Sequence, residues 1–173
     1  MSTQATMENI KLQLTRVFDA PRELVFKAWT DENQFNQWFG AAACNGSSLE
    51  STKVDARVGG KYRLQVRSAD GEYFTSVGVY REVKPPERLV FTWQWLSAAA
   101  PEGGERREVP LDAVDVETLV TVDFAARAGG TLLTITHQRF KTDAETERHG
   151  AGWTGALAEL PAYLDALRGE QPP

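Results

Sequence analysis

Two histidines, His137 and His149, and one cysteine, Cys44, are the only imidazole and thiol groups in the 173-residue chain. The histidines lie twelve positions apart, with no His-x-x-x-His or carboxylate-flanked signature, so the spacing predicts no metal site. A single cysteine permits neither an intramolecular disulfide nor a multi-cysteine zinc site. Cys44 lies in a run of small residues with no histidine near it in sequence, and no Gly-x-Ser-x-Gly elbow occurs, so no catalytic residue is assigned. Gly59-Gly60 joins one strand-like run to another and lacks the following helix that a phosphate loop needs. Nineteen Lys and Arg against 24 Asp and Glu give a net charge of −5, and Arg106-Arg107 is flanked by Glu105 and Glu108. Nucleic acid is therefore not an expected partner. No cofactor is expected either.

What remains is one histidine and a set of aromatic rings. His137 follows Leu133 and Ile135 at a two-residue period, so it shares their face of a strand. It reads either as a core-edge histidine bonded to a backbone or hydroxyl group, or as a polar group in an apolar cavity. In the second case it would orient a ligand or, in an enzyme, act as an acid–base group. Trp38, Tyr62, Phe91, Trp93, Trp95 and Trp153 can project into one interior space if the richer face of each strand is the inner one. Any one of them suits a packed core. The small run Gly150-Ala151-Gly152 beside these large rings either brings a helix close to a sheet or leaves a void. We take the void as the expectation.

These residues need elements to hold them. Ile10, Leu12 and Leu14 alternate with polar residues over 10–18, the period of a half-buried strand. Pro21 suits the start of a short helix whose face carries Leu24, Val25, Ala28 and Trp29. Thr30-Asp31 caps a second short helix with Phe35, Trp38 and Phe39, which stops at Gly40. From Leu49 to Phe140 strand follows strand, with turns at Gly59-Gly60, Asp70-Gly71, 85–88 and Gly129-Gly130. Such short connections imply an antiparallel meander. The 97–115 segment, rich in Ala, Gly and Pro, exceeds an ordinary hairpin loop and is expected to be a mobile insertion. The chain closes with a helix over about 143–168, opened by a Thr142/Glu145 capping box. Trp153, Leu157, Leu160, Leu164 and Leu167 form its apolar stripe, and Pro161 predicts a kink.

The ordinary apolar content of 42% and charged content of 25% suit one soluble domain, placed at 10–168 with flexible termini at 1–9 and 169–173. The N-terminus lacks a signal-peptide pattern and no stretch is apolar enough to span a membrane, so the expected location is cytoplasmic.

The ordered set of motifs resembles the helix-grip fold of the START or birch-pollen-allergen-like superfamily, also called SRPBCC. The nearest resemblance within it is to the C-terminal domain of the activator of the heat-shock-protein-90 ATPase. The pieces are Ala20-Pro21 with 24–31, Trp38-Phe39-Gly40, Val58-Gly59-Gly60 with Tyr62, 78–83, 85–93, Gly130-Thr131 through His137, and Gly152-Trp153 with the leucine stripe. Ala41 stands where many relatives carry proline, and Pro161 is unusual in the last helix. The resemblance implies an α+β fold in which a curved antiparallel sheet of six to seven strands wraps around a long C-terminal helix, with two short helices after the first strand.

It also implies a cavity between sheet and helix. The expected site comprises Tyr62, Leu64, Phe91, Trp93, Val120, Val122 and Ile135 on the sheet, Trp153 and Leu157 on the helix, Trp38 at the mouth, and His137 as one of few polar groups. The function expected from it is binding of a small apolar or amphipathic molecule without covalent chemistry. A chaperone-interacting domain in a stress-response setting is the alternative. A polyketide cyclase or aromatase ranks below both, since no acid–base pair stands out.

Overall fold

The computed structural model describes residues 10–41, 48–67, 73–98, 112–113 and 117–170. Strand β1 (Ile10–Phe18) is followed by helices α1 (Arg22–Thr30) and α2 (Glu32–Ala41). Strands β2 (Ser48–Val54), β3 (Lys61–Arg67), β4 (Tyr73–Lys84), β5 (Arg88–Ala98), β6 (Asp112–Ala113), β7 (Thr118–Arg127) and β8 (Gly130–Phe140) come next, and helix α3 (Asp143–Glu170) closes the chain. Seven strands form one antiparallel sheet in the order β1-β8-β7-β5-β4-β3-β2, and the two-residue β6 pairs with the far end of β5. The first strand thus lies beside the last, and α1, α2 and α3 cover the concave face.

Each element obeys local chemistry. The α1 backbone turns at Pro21, whose carbonyl accepts from the amides of Leu24 and Val25. Asp31 Oδ1 accepts the Gln34 amide at 3.0 Å and so caps α2. That helix continues one residue past the expected stop at Gly40. At the start of α3 the capping box closes in both directions: the Glu145 amide donates to Thr142 Oγ1 at 3.1 Å, and Glu145 Oε2 accepts the Thr142 amide at 3.3 Å. Helix α3 runs without a break through Pro161, which is exposed. Gly59 and Gly129 take left-handed φ values of +83° and +80° at their turns.

The inward face of the sheet meets the stripe of Trp153, Ala156, Leu157, Leu160 and Leu164 on α3, and together these residues form one buried core. The Asp70-Gly71 turn and nearly all of the 97–115 segment lie outside the described residues, as do 1–9 and 171–173. The last helix reaches Glu170, past the expected domain end.

Candidate functional site

The inner face is positioned by register. Tyr62 on β3 pairs with Gly78 on β4, and its ring lies across that glycine to donate to the Thr92 carbonyl of β5 at 2.6 Å. A Cβ at position 78 would collide with that carbonyl oxygen and with the tyrosine ring, so the residue must be glycine for a close approach. With its carbonyl taken by Tyr62, Thr92 uses Oγ1 to accept the Val79 amide at 2.9 Å. Side chains here replace part of the backbone ladder.

Around Tyr62 the rings crowd together. Trp93 lies 5.9 Å from Tyr62 and 5.2 Å from Trp153, while Trp29 of α1 stacks on Trp153 at 5.8 Å. They leave a cavity of about 20 Å³, lined by Trp29, Phe35, Val54, Tyr62, Leu64, Tyr80, Phe91, Trp93 and Trp153. Five of the expected residues are therefore brought together here: Tyr62, Leu64, Phe91, Trp93 and Trp153. Val120, Val122, Ile135 and Leu157 are fully buried in the surrounding core rather than on the cavity wall. Trp38 is not at a mouth. It is buried, its Nε1 donates to the Ala28 carbonyl at 2.7 Å, and its ring packs on Trp29 at 5.1 Å. It clamps α2 to α1.

Four lining residues escaped the sequence reading. Trp29 and Phe35 sit on helix faces that look like ordinary core, and only packing shows that they reach the space in front of Tyr62. Tyr80 carried a usable signal: it follows Gly78 by two residues and so shares the face on which Tyr62 lies. The small residues Gly150, Ala151 and Gly152 do not border the cavity. Ala151 and Gly152 are exposed, with nothing within 4 Å of a Cβ at Gly152, while a Cβ at Gly150 would lie 3.3 Å from Leu12 Cδ1 of β1. Position 152 precedes Trp153 by about 100° of helical turn, so the two cannot share a face.

His137 stands behind the cavity, entirely buried, with both ring nitrogens engaged. Trp153 Nε1 can only donate and does so to Nδ1 at 3.1 Å. Nδ1 is therefore unprotonated and Nε2 carries the hydrogen, which points to Thr118 Oγ1 at 2.6 Å. Thr118 Oγ1 passes its own hydrogen to the Trp93 carbonyl at 2.9 Å. The hydrogen bonds run from Trp153 through His137 and Thr118 to the Trp93 carbonyl, and they tie one cavity-lining indole and the backbone of another to a single imidazole. Burial, with a smaller contribution from neighbouring His149, holds the His137 pKa down at about 2. This neutral ring is a positioning group.

A bulge brings its neighbours in. Ile10 pairs with Phe140 but Leu12 pairs with His137, so β8 carries an extra residue, and Arg139 there takes φ +75°. The shift returns Phe140 to the inner face, 4.3 Å from His137 and 4.8 Å from His149.

The cavity wall is neutral. Burial pushes the phenols of Tyr62 and Tyr80 well above their ordinary range. Two of the lining residues, Trp29 and Trp93, have indole nitrogens that are buried with no hydrogen-bond partner among the described residues. No group of three or more His, Cys, Asp or Glu side chains that could hold a metal ion occurs among the described residues. No helix among them is long and apolar enough to cross a membrane.

A twisted antiparallel sheet closed over one long helix, with two short helices after the first strand, defines the helix-grip class. The family model of Activator of Hsp90 ATPase homolog 1-like proteins matches residues 19–165, and the chain belongs to that family. The AHSA1 protein of Silicibacter pomeroyi is similar in structure, with 26% identity and a TM-score of 0.71 over 91% of this chain and 99% of that one. An uncharacterised protein of Rhizobium leguminosarum gives 25% identity and a TM-score of 0.71 over 92% and 96% of the two chains. A protein of Chromobacterium violaceum gives 26% and 0.70 over 89% and 96%. A search of the curated proteins found no match.

Proposed function

We propose that this chain binds a small, mostly apolar molecule between the sheet and α3, without covalent chemistry. The observation that carries the reading is the ring-lined cavity, two of whose lining tryptophans have indole N–H groups without a partner among the described residues. Burying such donors without partners costs about 1–3 kcal/mol each, and an acceptor in the cavity would offset that cost. At about 20 Å³ the cavity has room for one water-sized group. Pockets for drug-sized ligands measure roughly 300–1,000 Å³, so binding requires the wall to open. The wall built from Phe35 of α2 and Val54 of β2 suits that role. It is joined by two side-chain bonds, Val54 N to Glu32 Oε1 at 3.0 Å and Thr52 Oγ1 to Asn36 Oδ1 at 2.7 Å. The test is titration with N-phenyl-1-naphthylamine, an uncharged apolar probe that brightens on leaving water. A saturable rise in emission with an increase in Tm is expected; neither occurring would refute the reading.

The family match favours a second reading, contact with a heat-shock-protein-90 homologue. In a coupled ATPase assay we expect little or no stimulation by this chain. A several-fold stimulation would put the chaperone reading first.

A further inference from the structure

We infer that the ligand of this cavity is an uncharged molecule bearing a hydrogen-bond acceptor, and that the indole N–H groups of Trp29 and Trp93 select it. The inference rests on the binding reading above and adds the chemical class. Three indoles line the cavity, and each can only donate. The N–H of Trp153 is already taken by His137 Nδ1, and the hydroxyl of Tyr62 by the Thr92 carbonyl. Trp29 and Trp93, 2% and 4% exposed, keep donors with no partner among the described residues. The complement to two unpartnered donors on lining residues is an acceptor: a ketone, ether or ester oxygen.

Charge is excluded by the same wall. None of the nine lining side chains is basic or acidic, and the two phenols are held in their neutral form by burial. An anionic ligand would lose its hydration with no countercharge to replace it, and a cation would meet no carboxylate. His137 also contributes, one layer back. By holding the Trp153 N–H it leaves the acceptor to the other two rings, and by way of Thr118 it fixes the Trp93 backbone.

The test uses three molecules with one skeleton: fluorene, 9-fluorenone and fluorene-9-carboxylate, titrated calorimetrically at neutral pH. The first two differ by a carbonyl oxygen and the third adds a negative charge. Fluorenone should bind about tenfold more tightly than fluorene, the gain of roughly one to two neutral hydrogen bonds, and the carboxylate should bind weakest. In the protein carrying Trp29→Phe and Trp93→Phe, which keeps the rings and removes the donors, the fluorenone preference should fall to about one. Should that double variant not fold, the two single variants read the same ratio, and the wild-type ratio is decisive by itself. Equal wild-type affinities for fluorene and fluorenone overturn the inference and leave the binding reading standing. Preferred binding of the carboxylate also overturns it. Failure of all three to bind overturns both.

Discussion

The His137 network makes a quantitative prediction about acid. In the folded chain the ring titrates at about 2, whereas an unfolded histidine titrates near 6.5. Above 6.5 neither state binds the proton, and the network contributes its full stability. As pH falls below 6.5 the unfolded chain takes up a proton that the folded chain refuses, so stability falls by about 1.4 kcal/mol per pH unit until the folded ring itself titrates. Between pH 7 and pH 4 the loss from this residue is about 3 kcal/mol. His137→Gln removes that proton-binding site. At pH 7 it should cost about 2 kcal/mol, because Trp153 Nε1 and Thr118 Oγ1 lose a well-placed partner in the core. The two stability curves should then converge near pH 5, with the variant the more stable protein below it. Urea unfolding followed by circular dichroism from pH 4 to 8 gives both curves. Contributions from distant groups common to both proteins cancel in the difference. Parallel curves would refute the reasoning, as would a His137 ring that titrates near 6.5 by NMR.

Further outcomes follow from single residues. Gly78→Ala should destabilise the chain by about 3 kcal/mol in denaturant melts, because the new methyl collides with the Thr92 carbonyl beneath the Tyr62 ring. Gly152→Leu should leave probe binding unchanged and raise stability by roughly 0.5–1 kcal/mol through helix propensity, since the side chain points away from the cavity. A loss of probe affinity in that variant would contradict the outward orientation of position 152 on α3. Thr142→Ala should cost about 1 kcal/mol by opening the capping box, with Glu145→Gln giving a smaller loss in the same melts.

Much of this protein is written locally. The alternation of Tyr62 and Leu64 with charged residues, Thr142 with Glu145, Asp31 ahead of α2, and glycine at the Gly129 turn each specify their element through neighbours a few residues away. The family motifs add the order in which those elements close around the last helix, and the site residues on β3, β5 and α3 follow from their strand or stripe position. The composition of the cavity wall was decided elsewhere. Tyr62 reaches a carbonyl thirty residues away because register sets Gly78 beneath its ring. Trp29 becomes a site residue only when α1 folds against Trp153, and an extra residue at Arg139 reverses the facing of Phe140. Periodicity fixes which side of an element is apolar, since that depends on backbone geometry along a few residues. Which rings meet, which donor keeps a partner and how much space remains depend on contacts distant in sequence, and those exist only once the sheet has curved over α3.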